Sequence, residues 1–213
     1  LSVTESNAEV RHLHDPDVRL MLRVRDDDAV AFEELMRRYQ TRLITVLEHL
    51  VRSRDLAEDL AQDVFMRVYR ARKRYVPGAK FSTWLYTITN NVASNALRSR
   101  SRRPEVNMVG TESGPLGAQP MDHLAVAASG QMPTRLLDKS EMRSVVREAL
   151  GVLNERQRMA VLLNKFEDMS YAEIAESMQM TPQAIKSLMF RSRAMLREAL
   201  EPYLTQGKSP DTE

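Results

Sequence analysis

A helical apolar pattern that stops and restarts within residues 170–195 constrains this chain more than any other feature. Ile174, Ala175 and Met178 recur at helical spacing, and the pattern then pauses at Gln179 and Met180. Thr181-Pro182 restarts it, because Thr is a good N-cap and Pro at the first helical position has no amide that needs a partner. Ile185, Leu188 or Met189, Ser192 and Leu196 then face inward, while Lys186, Ser187, Phe190 and Arg191 fall on the opposite face, with Arg193 near the flank. Two short helices at a steep angle, the second presenting cations and hydroxyls, form a helix-turn-helix suited to the major groove of DNA. A plain helical hairpin shares the periodicity.

The same period runs through most of the chain, which predicts an all-α fold. Residues 15–25 give a short amphipathic helix. Asp28 caps a second one through Phe32, Leu35, Met36, Tyr39, Leu43, Val46, Leu47 and Leu50. Residues 55–73 form a third, with Asp55 and Glu58 spaced as a capping box. Pro77-Gly78 marks a turn, and Ser82 or Thr83 starts a fourth helix that Pro104 stops. Residues 104–137 hold four Pro and four Gly without a sustained period, the composition of a flexible linker. Helical spacing returns at 139–151 and 154–166, ahead of the helix-turn-helix, and from Glu198 onward the chain is expected to fray. The expected organisation is a disordered start (1–14), a helical domain (15–103), a linker (104–137), a second helical domain (138–204) and a tail (205–213).

Zero cysteines among 213 residues exclude disulfides, thiolate catalysis and thiolate metal sites, and suit a reducing, cytoplasmic setting. The sequence contains no apolar run long enough to span a bilayer and no basic-then-apolar leader. No phosphate loop, nucleophile elbow or zinc-helix signature appears, so neither an enzyme nor a metal site is expected. The histidines lie at 12, 14, 49 and 123, a poor ligand set.

The net charge of +2 conceals a sharp segregation. Residues 55–63 hold four acids and no base, and residues 64–104 hold ten bases and no acid. Each block is a candidate contact surface for a partner of opposite charge, with a solvated face as the plain alternative. In the acidic block Leu56, Leu60, Val64 and Val68 read as core, while Asp55, Asp59, Gln62 and Asp63 share another face with Phe65 and Met66 at its edge, a mixture typical of a protein contact. In the basic block, cations interleave with Tyr69, Tyr75, Phe81, Trp84 and Tyr86, and cations that track phosphates beside rings that stack on bases suit single-stranded nucleic acid. Asn90, Asn91 and Asn95 add groups able to read a base edge. Phe81, Trp84 and Ile88 serve equally as the core of a small bundle, and one ring face of Trp84 can do each job.

DLAEDLAQDVFMRVY (55–69), KFSTWLYTITNNVASNALRSRSRR (80–103) and LNERQRMAVLLNKFEDMSYAEIAESMQMTPQAIKSLMFRSR (153–193), in this order, resemble blocks of the bacterial RNA polymerase sigma factors of the small, two-domain extracytoplasmic-function (ECF) type. The resemblance covers about 20–103 and 138–200. It implies a factor that binds core RNA polymerase, recognises promoters through −35 and −10 elements, and promotes melting without a cofactor. Asp55, Asp59, Gln62, Asp63 and Phe65 would dock on the clamp helices of the polymerase's largest subunit. Lys80, Phe81, Ser82, Trp84, Asn91 and Asn95 would melt and read the −10 element, with Arg98, Arg102 and Arg103 on phosphates. Lys186, Ser187, Phe190 and Arg191 would read the −35 duplex. The family also implies an anti-sigma factor as a partner. Two departures stand out: Gln179 occupies a turn position where the family carries Gly, at a cost of about 1 kcal/mol if φ is positive, and Leu188 follows the Lys-Ser pair where the family has a base. The rival readings are a transcription regulator with a sensing domain on the same C-terminal motif, and a helical scaffold that sequesters a partner.

Overall fold

The structure is a computed structural model and describes residues 13–102 and 139–206. The predicted linker, the first twelve residues and all but the start of the tail lie outside the described residues. Among the described residues the secondary structure is helical throughout, as expected. Helices α1 (Pro16–Arg25), α2 (Ala29–Val51), α3 (Arg54–Ala71) and α4 (Phe81–Arg102) form an N-terminal unit, with a short 3₁₀ turn at Arg72–Arg74. Helices α5 (Lys139–Gly151), α6 (Glu155–Phe166), α7 (Tyr171–Ser177) and α8 (Pro182–Gln206) form a C-terminal unit.

Capping fixes where these helices start. Asp28 Oδ1 accepts the Ala31 amide at 3.0 Å, as the sequence predicts. Asp15 does double duty: one carboxylate oxygen accepts the Asp17 amide of α1 at 2.9 Å, and the other accepts the Phe81 amide at 3.3 Å. The borrowed cap moves the start of α4 to Phe81, ahead of the predicted Ser82 or Thr83. The Asp55–Glu58 capping box does not form. Arg52 ends α2 in a left-handed conformation (φ 58°), so the chain reverses within two residues, and Ser53 takes the cap by accepting the Leu56 amide. Nor does the chain fray at Glu198, since α8 continues to Gln206.

The N-terminal core packs Val18, Met21, Leu35, Leu43 and Leu47 against Ala57, Val64 and Val68 of α3 and Leu85 and Tyr86 of α4. On α3 the small Ala57 and Ala61 point straight inward, so Leu56 and Leu60, expected as core, are only half-buried. The C-terminal core gathers Leu153, Leu162, Leu163, Ile174, Ile185 and Met189. The two units touch: α4 lies against α7, and α2 against α6.

Candidate nucleic-acid and polymerase interfaces

The helix-turn-helix has the face pattern expected of it. Ser170 and Glu173 close a capping box at the start of α7, and Thr181 Oγ1 accepts the Ala184 amide at the start of α8. Between them Gln179 adopts φ 53°, the left-handed conformation its position demands. Along α8, Ile185, Leu188, Met189 and Ser192 are buried, and Lys186, Ser187, Phe190 and Arg191 are exposed. Phe190 is 75% exposed on this face. Leu188, at the position where the family has a base, is buried at 6% exposure. On the flank, Arg193 donates to the Tyr171 hydroxyl at 2.6 Å, which ties the recognition helix to the helix before it.

The acidic face of α3 is partly self-neutralised. Arg54 pairs with Glu58 at 2.6 Å and Arg67 with Asp63 at 3.0 Å. Asp55, Asp59 and Gln62 are exposed, and neither aspartate has an ion-pair partner among the described residues. Phe65 is a correction. It is 5% exposed and meets Phe32 edge-on at 6.5 Å, because its position on the helix falls on the core side beside Val64 and Val68. The apolar groups on the outer surface are Met66 and Tyr69, the latter carrying the Arg72 guanidinium over its ring at 3.9 Å.

The basic aromatic block is also sorted by the fold. Phe81, Tyr75 and Tyr86, expected among the stacking rings, are buried, at 1%, 3% and 0% exposure. Phe81 packs edge-on against Tyr39 at 5.2 Å, and Tyr75 against Trp84 at 4.9 Å. Burial pushes the Tyr75 and Tyr86 hydroxyls well above their ordinary pKa, so both remain neutral. Tyr75 and Phe81 form a pedestal on which Trp84 sits half-buried. Ser82 is half-buried, and Lys80, Asn91, Asn95 and Arg98 are exposed along the same edge of the N-terminal unit. Asn95 Oδ1 accepts from Arg98 at 2.8 Å, an orientation that holds the amide outward. The Arg102 side chain and Arg103 lie outside the described residues.

Sequence reasoning missed a third set of groups, those between the units. Glu167, at the end of α6, is buried and forms an ion pair with Arg42 of α2 at 2.6 Å. Burial raises its carboxyl pKa, and the Arg42 guanidinium offsets only part of that rise. Glu173 of α7 pairs with Lys80 at 2.8 Å. Burial would raise its pKa too, but the Lys80 ammonium and the Ser170 hydroxyl outweigh it and lower the value. Arg158 is 7% exposed and donates to four backbone carbonyls, of Leu150, Gly151 and Leu153 in its own unit and of Leu50 across the boundary. No feature of a single helix marks these residues, since the partners across the boundary (Arg42, Lys80 and the Leu50 carbonyl) lie far away in the chain.

A pair of small helical units, one with an exposed recognition helix and the other with adjoining acidic and basic-asparagine faces, defines a promoter-recognition protein of the kind that works on polymerase. The models for sigma-70 region 2 and sigma-70 region 4 match residues 35–103 and 143–196. The RNA polymerase sigma-H factor of Pseudomonas aeruginosa is 32% identical over 191 residues, 90% of this chain and 97% of that protein. The ECF RNA polymerase sigma-E factor of Escherichia coli is 30% identical over 188 residues, 88% and 96% of the two chains. Among solved structures, the sigma factor RpoE in complex with the anti-sigma factor NepR from Bartonella quintana superposes with a TM-score of 0.59 at 26% identity, over 80% of this chain and 96% of that one. CnrH, in complex with the cytosolic domain of CnrY, shares the fold with a TM-score of 0.63 at 19% identity, over 87% and 97%. The chain belongs to the sigma-70 family of RNA polymerase sigma factors, ECF type. It acts in promoter-specific transcription initiation, and sigma factors are non-catalytic initiation factors.

Proposed function

We propose that three surfaces divide the work of initiation. The outer face of α3, with Asp55, Asp59, Gln62 and Asp63 and with Met66 in the place expected of Phe65, docks on the clamp helices of the polymerase's largest subunit. Asp55 and Asp59, without an ion-pair partner among the described residues and beside an exposed methionine, favour a protein contact over bare solvent. The edge formed by Lys80, Ser82, Trp84, Asn91, Asn95 and Arg98 holds the melted −10 strand, with Arg102 and Arg103 continuing along phosphates. Opening base pairs costs several kcal/mol, and bases trapped on a ring and on asparagine amides offset it. Phe81 supports this edge from beneath. Helix α8 reads the −35 duplex through Lys186, Ser187, Phe190 and Arg191.

The observation that carries this reading is the division of α8, with Lys186, Ser187, Phe190 and Arg191 exposed, Ile185, Leu188, Met189 and Ser192 buried, and Leu196 half-buried. An anti-sigma factor is the natural regulator, since the RpoE relative was solved bound to one. No helix among the described residues is long and apolar enough to cross a membrane, and the work proposed takes place in the cytoplasm. The test is a pull-down of bacterial core RNA polymerase with the full chain and with its Asp59→Ala/Gln62→Ala variant. Capture by the parent and loss in the variant support the docking face. Capture by both would remove α3 from the proposal.

A further inference from the structure

Helix α4 begins on a residue that cannot cap it. Lys80 stands at the N-cap, its carbonyl accepting the Trp84 amide at 3.3 Å. A lysine side chain has no acceptor for the first-turn amides, whereas Ser, Thr, Asp or Asn at that position would supply one. Asp15, 66 residues earlier in the chain, supplies it instead. One of its carboxylate oxygens accepts the Phe81 amide at 3.3 Å, while the other holds the Asp17 amide at 2.9 Å. Phe81 is held by its ring as well. Tyr39 meets that ring edge-on at 5.2 Å, and the Tyr39 hydroxyl is itself fixed by donating to Asp17 at 2.5 Å. Phe81 in turn carries Trp84, with ring centroids 6.0 Å apart. The start of α1 therefore reaches Trp84 through one phenylalanine, whose amide and ring are both gripped from outside the basic block.

We propose that Asp15 is a positioning residue for the melted strand: by capping α4 in place of Lys80, it lets the N-cap position carry a phosphate-tracking ammonium and fixes the first turn on which Ser82 and Trp84 stand beside it. The proposal rests on the assignment of this edge to the −10 strand. A local cap and a strand-facing cation are two demands on one position. Neither Lys nor Arg has an acceptor, so no cationic side chain of that kind meets both. Moving the acceptor to α1 separates the two jobs. Asp15 touches no nucleotide in this role, and its own charge works against binding. It lines one cleft with Lys80 and Ser82, where a carboxylate repels phosphate. Electrostatics and positioning are thereby set against each other: loss of the charge alone tightens the strand, and loss of the cap loosens it.

The test is a double-mutant cycle on the full-length chain, read by fluorescence anisotropy with a mixed-sequence single strand of about 12 nucleotides. The temperature is one at which circular dichroism shows every variant folded. Asp15→Ser keeps a cap for α1 but has no second oxygen for Phe81, and it should bind the strand about fivefold more weakly, the scale of a lost cap. Asp15→Asn, which also leaves one oxygen for two amides, replaces it should that chain not fold. In Lys80→Ser the new serine caps α4 locally, and strand affinity falls with the lost cation. Adding Asp15→Ser to that background should change the affinity by less than about twofold, or tighten it. A purely structural role for Asp15 would instead lower thermal stability and leave strand affinity unmoved. Unchanged or tighter binding by Asp15→Ser alone, or the same fivefold loss in the Lys80→Ser background, overturns the proposal. A parent that holds no strand, or an affinity indifferent to both Lys80→Ser and Asn91→Ala, strikes the −10 assignment instead. Hydrogen exchange at the Phe81 amide, faster in Asp15→Ser, still reports the cap by itself, and unchanged exchange would dismiss it.

Discussion

Replacing Arg158 by Met keeps most of the side-chain volume and removes the guanidinium, which isolates the worth of its hydrogen bonds. Two of the four are short, to Leu150 O and Leu153 O at 2.8 Å, and two are long, to Leu50 O at 3.3 Å and Gly151 O at 3.4 Å. Gly151 O keeps a second donor in Arg52, and Leu150 O retains a weak bond from the Leu153 amide at 3.4 Å. The net loss is therefore close to that of two buried carbonyls left short of partners, at about 1–3 kcal/mol each, or about 3 kcal/mol in all. Relief of the buried charge, whose pKa burial already depresses, keeps the total from rising further. With a urea slope of about 2 kcal/mol/M, the midpoint should drop by about 1.5 M. Circular dichroism follows both units. The only tryptophan, Trp84, reports the N-terminal one, and its transition should move less because Leu50 O is the single acceptor on that side. Arg158→Lys should recover only part of the loss, since a point charge cannot span carbonyls on both sides of the site. A drop below about 1 kcal/mol would refute the account, because it would mean that water satisfies these carbonyls without the arginine.

Three further outcomes follow from the same structure. Phe65→Ala should cost about 3–5 kcal/mol by leaving a hole in the core, whereas Met66→Ala should stay within about 0.5 kcal/mol in urea unfolding and weaken capture of core polymerase. Gln179→Gly relieves the left-handed conformation but loosens the unfolded chain, so thermal unfolding should show a gain of no more than about 1 kcal/mol, and a loss would contradict the positive φ. His49, stacked on Phe166 at the boundary and facing Glu48, Arg147 and Arg158, is held below its ordinary pKa of 6.5 by burial. The folded state thus binds fewer protons there than the unfolded one, and its contribution is full above pH 6.5 and lost as the pH falls. Glu167, raised by burial, acts in the opposite sense, so melting temperatures of His49→Gln against the parent between about pH 7.5 and 5.5 isolate the histidine, with a flatter profile expected in the variant.

What could be read in the sequence was whatever one helix decides for itself. The apolar stripe of α8 placed Ile185, Leu188 or Met189, Ser192 and Leu196 inward and Lys186, Ser187, Phe190 and Arg191 outward, because a 3.6-residue period fixes both faces once one is known; Leu188 and Met189 are both buried, and Leu196 is half-buried. Asp28 and Thr181 announced their caps for the same local reason. Ser53 did not, because its role depends on Arg52 turning left-handed, a conformation that an arginine does not advertise. The aromatic block misled because phosphate-tracking cations and a bundle's core rings occur together in this segment. Which rings go inside depends on Tyr39 and Asp15, contributed by other helices.

The groups between the units were illegible for a stronger reason. Arg158 sits among Glu155, Arg156 and Gln157, polar neighbours that suggest a solvated turn, yet it and Gln157 are buried. Its acceptors are carbonyls at the ends of α2 and α5, which carry no side-chain signature. Glu167 shows no local reason to be inside either, since its partner is 125 residues away. The faces of these helices can therefore be read from their own periodicity, but the contact between the two units is made of backbone acceptors and distant charges.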